Sequence, residues 1–281
     1  MTAAAPNILC IGSVLWDHIG RTDLPMVAGN DKPGRITRLP GGVALNIAMT
    51  LKRAGMTPAL LSVVGNDALG QALIIACEEL GLITDHILVD PHLPTDQYMA
   101  IEAKGKLIAA IADAHSLEAA GARILAPLYD GRLGTAEAFW PHPIAIDGNL
   151  TRALLGEIAV DHAFLGADLR LAPASPGKAE RLRVFLGHPR ACFYVNCEEA
   201  QLISGRKVAG SEAAAVAMIK AGAARVLVTD GSEPAMDADR SGGLVCRPPQ
   251  VTPRRITGAG DTFMATHIAA EMAGVPRQAA L

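Results

Sequence analysis

Short apolar runs that each stop at a glycine or a polar residue, with helix-forming stretches between them, constrain this chain more than any other feature. Asn7 to Ile11 ends at Gly12-Ser13, Ala59 to Val64 at Gly65-Asn66-Asp67, and Ile144 to Ile146 at Asp147-Gly148-Asn149. Cys192 to Val195 ends at Asn196, and Arg225 to Thr229 ends at Asp230-Gly231. Runs this short and uniformly apolar read as strands buried on both faces. The stretches between them carry a helical period. Ala44, Ile47, Ala48, Leu51 and Ala54 share one face before Gly55, and Leu69, Leu73, Ala76 and Leu80 share another before Gly81. Strand and helix in alternation predict βαβ units, a mostly parallel sheet and an α/β fold class. Ligands of such sheets gather outside the carboxyl ends of the strands, so the polar strand ends belong on one binding edge.

Two segments break the alternation. Arg21 to Leu39 is polar and rich in breakers (Pro25, Gly29, Pro33, Gly34), as expected of a hairpin or flap outside the main sheet. Gln97 to Ala103 and Leu107 to Ala112 flank Lys104-Gly105-Lys106 and read as a second hairpin. Together, at about 14–40 and 94–112, they predict a small β lid on a single domain spanning 1–281. A lid suits chemistry that must exclude water, such as phosphoryl transfer.

Half of the 281 residues are hydrophobic but only 4% are aromatic, which favours helices packed on a buried sheet over an aromatic nucleic-acid surface. A net charge of −3 with both signs dispersed gives no footprint for nucleic acid or an anionic membrane, so the expected partner is a small molecule. No apolar run approaches the ~20 residues of a membrane span, and Met1 to Ala5 lacks the regions of a signal peptide. The five cysteines are scattered and odd in number, as suits small buried side chains in a reducing compartment, and a cytoplasmic location is expected. The histidines show no zinc-binding spacing.

Four places carry candidate chemistry. At Thr257-Gly258-Ala259-Gly260-Asp261 a glycine turn runs into a helix bearing Phe263, Met264, Ile268 and Met272, so first-turn N–H groups can receive an anion. Asp261 is either a charge suited to the helix's positive end or a base that takes a proton from an attacking hydroxyl. Asp17, in a loop after the first strand, either caps a turn or accepts from a polyhydroxyl substrate. Gly41-Gly42 opens a helix with Asn46 one turn in, which either faces solvent or binds sugar hydroxyls. Asn196 and Glu199 have the spacing of a capping box, and Glu199 could alternatively order a hydrated Mg²⁺.

Read together, Gly41-Gly42-x-x-x-Asn46, Asn196-x-x-Glu199 and Thr257-Gly258-Ala259-Gly260-Asp261 resemble the ribokinase-like PfkB family of carbohydrate and nucleoside kinases, from about Ile8 to Gly274. Asp17 and Gly65-x-Asp67-x-x-Gly70 also stand in place. The Walker pattern is absent, and a dinucleotide G-x-G-x-x-G reading fails because Phe263 occupies the third glycine position. Within the family the likeness is to the pseudouridine kinases. It rests on Thr95-Asp96-Gln97-Tyr98, Ala112-Asp113, Asp147-Gly148-Asn149-Leu150 and Ser175-Pro176-Gly177-Lys178-Ala179.

The resemblance implies a ribokinase-like three-layer fold and ATP-dependent, Mg²⁺-assisted phosphorylation of a primary hydroxyl. Asp261 would be the base, with the N–H groups of Gly258, Ala259 and Gly260 facing the transferred phosphoryl group. Asp17, Gly42, Asn46 and Lys178 would contact the substrate. Asn196, Thr229, Gly231 and Thr257 would line the nucleotide site, with Glu199 organising Mg²⁺. Pseudouridine is the leading substrate. Ribose, adenosine or another sugar remains the alternative, as does a degenerate regulator that binds without turnover. A homodimer through the lid is possible.

The chain also departs from the family pattern. Arg255 stands where an acidic residue or asparagine usually helps bind a monovalent cation, and its guanidinium would repel K⁺. Pro234 and Ala172-Pro173-Ala174 replace a usual glycine and a usual Asp-Pro pair. Gly274-Val275-Pro276-Arg277 reads as a helix stop and a new start shortly before Leu281, where relatives continue through helices that enclose adenine. Either the chain is truncated or its nucleotide pocket is open.

Overall fold

The computed structural model describes residues 5–251 and 258–281; Arg255 and Thr257 lie outside the described residues. The chain opens with β1 (Ile8–Ile11), buried along its length, and turns through Gly12-Ser13 into β2 (Leu15–Thr22). Strand β3 (Arg35–Gly41) returns antiparallel to β2 and ends at the glycine pair that starts α1 (Val43–Arg53). Next come β4 (Pro58–Leu61), β5 (Val63–Gly65), α2 (Ala68–Glu79) and β6 (Leu88–Asp90). The hairpin β7 (Gln97–Ala103) and β8 (Lys106–Asp113) leads to α3 (His115–Ala120). Then follow β9 (Ile144–Asp147), α4 (Arg152–Val160), α5 (His162–Leu165), β10 (Leu169–Ala172) and α6 (Pro176–Ala179). They are succeeded by β11 (Ala191–Asn196), α7 (Cys197–Ser204), α8 (Ser211–Ala221) and β12 (Arg225–Asp230). The hairpin β13 (Glu233–Asp239) and β14 (Gly242–Cys246) precedes α9 (Ala259–Met272) and α10 (Arg277–Ala280).

Among the described residues the main sheet has eight strands in the order β14-β13-β12-β11-β10-β9-β1-β4. Neighbours are parallel from β12 to β4, and β13 and β14 run antiparallel at one edge. Successive residues of a strand point to opposite faces, so Leu9 and Ile11 enter one core while Ile8 and Cys10 enter the other. Leu154 and Leu155 of α4, Ala200 and Ile203 of α7, and Met218 of α8 cover the first face. Ala44 to Leu51 of α1, Leu73 of α2, and Met264 and Ile268 of α9 cover the second. The result is a three-layer α/β fold with helices on both sides of a mostly parallel sheet. Strands β3-β2-β7-β8 form a separate four-stranded sheet. Among the described residues no helix is long and apolar enough to cross a membrane.

The structure redraws several local expectations. Ala59 to Val64 reads as one strand, but the chain breaks at Ser62, whose hydroxyl donates to the Gly12 carbonyl at 2.6 Å. After the break, β5 leaves the main sheet and pairs with β6. Asp17 lies within β2, opposite Leu39 and Tyr98, instead of in a loop. Met272, read as part of an apolar face, is exposed. Pro234, with no N–H to give the ladder, sits where the β12–β13 register shifts between Val228 and Asp230.

Strands β10, β13 and β14 escape the apolar pattern because the first two carry charge into the interior. Arg170 of β10 pairs with Asp168 and with Glu271 of α9, and donates to the Tyr194 hydroxyl at 2.9 Å. Arg225 bridges Glu271 and Asp237 of β13, each at 2.6 Å. Arg277 of α10 grips Asp237 from the other side and also pairs with Asp239. His267 completes the cluster against Tyr194 at 2.9 Å.

Asp237 has a fully buried side chain, and Arg277 and Arg225 hold its carboxyl down at about 2, against an ordinary 3.8. A carboxyl depressed on folding stabilises above its unfolded value and loses that contribution as pH falls through the folded one, here between about 4 and 2. Asp237→Ala leaves two guanidinium groups short of a partner and is expected to cost roughly 3–5 kcal/mol in urea unfolding. It should also flatten the loss of stability between pH 4 and 2; an unchanged midpoint at pH 7 would refute this reading.

Candidate active site

The glycine pair fixes how α1 meets the sheet. Gly42 has φ 101°, and a Cβ there would collide with the Ser13 carbonyl beyond β1. A Cβ on Gly41 would strike the Asp17 carboxylate. With both side chains absent, the first turn of α1 lies against the carboxyl end of β1, and Asn46 is carried to the same edge.

There Asn46 meets Asp261. Its side-chain Nδ2 donates to Asp261 Oδ2 at 2.9 Å, joining α1 to the first turn of α9. Helix α9 starts after Gly258, which is left-handed at φ 82° and offers no side-chain cap. The N–H groups of Ala259 and Gly260 precede the helix's first intrahelical bond, Thr262 N–H to the Gly258 carbonyl at 3.0 Å, and both residues are exposed. A donor-rich helix end and a carboxylate therefore share one turn. Burial pushes the Asp261 carboxyl up to about 6; the Asn46 bond opposes this, and the charges of Asp147 and Glu199 add to it. A carboxylate near that value holds a proton more readily than an ordinary aspartate and is suited to general-base work near neutral pH.

Asn196 and Glu199 form the capping box in full. Glu199 N–H donates to Asn196 Oδ1 at 2.9 Å, and Asn196 N–H donates to Glu199 Oε2 at 2.9 Å. Glu199 is buried, which raises its carboxyl above the ordinary carboxylate range, with Glu198 adding to the rise. Its capping role is thus observed, and one carboxylate oxygen is engaged in it. Thr229 stands beside Asn196 in the parallel register of β11 and β12. Gly231, at φ 60° in the turn between β12 and β13, lies just past this edge. Among the described residues no group of three or more His, Cys, Asp or Glu could hold a metal ion.

A polar chain links the remaining candidate, Lys178, to the same region. Lys178 Nζ donates to Asn149 Oδ1 at 2.6 Å, and Asn149 Nδ2 donates to Ser13 Oγ at 2.9 Å. Ser13 Oγ donates in turn to Asp147 Oδ2 at 3.0 Å and accepts from Val43 N–H at 2.8 Å. Burial, helped by Arg181, lowers the Lys178 ammonium below its ordinary range. Pro173 packs its carbonyl where a Cβ on Gly148 would lie, and Ala174 takes a left-handed φ of 70°. The segment leading into α6, which carries Lys178, is therefore pressed against Gly148.

The structure thus brings Gly42, Asn46, Gly258, Ala259, Gly260 and Asp261 together. Asp17 lies against Gly41, Glu199 lies within electrostatic reach of Asp261, and Lys178 reaches α1 through Asn149 and Ser13. Gly231 makes no bond to this group among the described contacts. Sequence reasoning treated Ser13 only as a strand terminator, and the joining role of Asp147 went unread. Their position at strand carboxyl ends was the available signal.

Comparison with known proteins agrees with this architecture. The model of the pfkB family carbohydrate kinases matches residues 5–281. A pseudouridine kinase from Escherichia coli K12 is 29% identical over 276 residues, covering 96% of this chain and 85% of that protein. A carbohydrate kinase structure from Agrobacterium tumefaciens superposes with a TM-score of 0.81 at 23% identity, over 99% of this chain and 87% of that one. A structure of Arabidopsis thaliana ribokinase complexed with ribose and ATP superposes with a TM-score of 0.76 at 18% identity, over 99% and 89%. With the fold and the family match in agreement, this chain belongs to the pfkB family of carbohydrate kinases, phosphotransferases with an alcohol group as acceptor.

Proposed function

We propose that this chain is an ATP-dependent kinase for the primary hydroxyl of a sugar or nucleoside, with pseudouridine as its substrate. The observation that carries the reading is Asp261 at the exposed, donor-rich start of α9, held by Asn46 and raised to about 6. In this reading Asp261 takes the proton of the substrate hydroxyl. That oxygen bonds to the γ-phosphorus of ATP as the bond to the β-phosphate oxygen breaks, and ADP leaves. The N–H groups of Gly258, Ala259 and Gly260 face the charge on the moving phosphoryl group. Asp17, Gly42 and Asn46 hold the sugar. Lys178 contacts the rest of the substrate.

Asn196, Thr229, Gly231 and Thr257 line the nucleotide site. Mg²⁺ usually takes one or two protein carboxylates together with phosphates and water, and Glu199, with one oxygen committed to the cap, fits such a sparse donor set. When bound, Mg²⁺ supplies neutralisation of phosphate charge. The likeness to pseudouridine kinase along 96% of the chain supports that substrate over ribose or adenosine. We place the reaction in the cytoplasm, in keeping with five free cysteines.

ADP release measured with pseudouridine, uridine, adenosine, ribose and fructose tests the assignment. Turnover should be highest with pseudouridine, fall by roughly 10²–10⁴ in Asp261→Asn, and be indifferent to K⁺ because of Arg255. Binding without turnover on every substrate would instead mark a regulator, and strong K⁺ activation would refute the role given to Arg255.

Because the base must be ionised, kcat/KM should fall about tenfold per pH unit below about pH 6. Asn46 donates to the charged form, so Asn46→Ala should move this acid limb upward. A limb that stays in place or moves down would contradict the assignment.

The four-stranded sheet would act as the lid and as a dimer interface. Paired register sets Ile36, Met99, Ile101 and Ile111 on one of its faces, with Ile36 82% and Ile111 70% exposed. A second copy laid on this face would bury them. Sedimentation should show a dimer that Ile111→Lys dissociates; a monomeric parent chain would exclude it.

A further inference from the structure

Helix α1 begins without a cap of its own. Its first residue follows Gly42, which has no side chain to accept from the orphan N–H groups of the first turn. Those groups are met from elsewhere in the chain. Ser13 Oγ accepts from Val43 N–H at 2.8 Å, and Asp147 Oδ2 accepts from Ala44 N–H at 3.1 Å. The same Asp147 oxygen accepts from the Ser13 N–H at 2.8 Å and the Ser13 hydroxyl at 3.0 Å, while Oδ1 accepts from Asn149 N–H at 2.8 Å.

Asp147 is completely buried at the end of β9, and every bond it makes is to a donor, as an acceptor-only carboxylate requires. Gly12 leaves it room, since a Cβ at residue 12 would overlap the carboxylate. A carboxylate at a helix N-terminus also complements the helix dipole. One side chain of the sheet therefore fixes the exit of β1 and the start of α1 at once. One turn further along α1, Asn46 holds Asp261.

We infer that Asp147 is a positioning residue for phosphoryl transfer: it caps α1 from the sheet and, through Asn46, sets where the Asp261 carboxylate stands. It has no exposed atom to offer a substrate, so it acts through the position of α1 and through the charge that it adds beside Asp261. Asp261, Glu199 and Lys178 are the charged groups coupled to this region, and Lys178 reaches Asp147 through Asn149 and Ser13. The inference rests on the kinase reading above for its consequence in turnover, but its structural half can be read without substrate.

The test is Asp147→Asn, which keeps the size while placing an amide where donors converge, with Ser13→Ala as a milder second variant that folds on the remaining bonds. Hydrogen exchange should quicken in 41–46 and also in 258–263, a stretch that shares no hydrogen bond with Asp147. In turnover, kcat should fall roughly tenfold or more with KM for ATP unchanged within about twofold, since the base is displaced while Asn196 on β11, Thr229 on β12 and Gly231 just after it are not. Both results are required. Faster exchange confined to 12–14 and 41–46 would reduce Asp147 to a local structural tie and overturn the inference, as would altered exchange in 258–263 with unchanged kcat. If Asp147→Asn does not fold, Ser13→Ala is judged by the same two readouts. A parent chain that turns over none of the substrates defeats the kinase reading, whereas unchanged exchange in 258–263 defeats this one.

Discussion

A parallel sheet sends the carboxyl end of every strand to the same side, and the rest of this molecule depends on that constraint. The register places Ala172 beside Asp147 and Asn196 beside Thr229, so side chains far apart in sequence line one edge. Helices must cross back over the faces to start each new strand, and their N-termini then point toward the same edge. Helices α1 and α7 both begin there, and α9 presents its first turn to Asn46 of α1. Binding chemistry is concentrated by topology before any particular residue is chosen.

Helix α9 works under opposite electrostatic regimes at its ends. Near its start, Asp261 is favoured by the helix dipole but sits half-buried, with a neutral amide as its hydrogen-bond partner and two further carboxylates in reach. Its proton affinity rises as a result. Near its end, Glu271 sits where the dipole disfavours negative charge, yet Arg170 and Arg225 hold it well into the ionised range. The paired end is fixed firmly to β10, β12 and β13, and the other end keeps a carboxyl of raised proton affinity.

How much of this could be read from the chain follows from the distance over which each interaction acts. Strand ends and helix starts were legible because glycines, caps and apolar periods are local; the Asn196–Glu199 box needs only four consecutive residues. The break at Ser62 was hidden because the hydroxyl that marks it bonds to Gly12, fifty residues earlier. Strands β10 and β13 were missed because Arg170 and Asp237 look like surface charges until their partners on α9 and α10 are known. The clustering of polar strand ends was foreseen as a pattern. The convergence of Ser13 and Ala44 on one oxygen of Asp147 was not, since no spacing in the sequence announces it.

A helix capped by a residue made a hundred positions later has a consequence for the order in which the molecule comes into being. On a nascent chain α1 emerges with Ser13 already available to its first N–H, and it acquires the Asp147 part of its cap only when β9 has been synthesised and laid against β1. Asp261 arrives later still, on α9. The two halves of the Asn46–Asp261 contact are thus separated by nearly the whole chain, and their closure is a long-range event of the kind that sets the slow step in assembling parallel sheets. A partly made chain can already hold much of its sheet before Asn46 has met Asp261, so this edge takes its final form only after the sheet behind it is laid down.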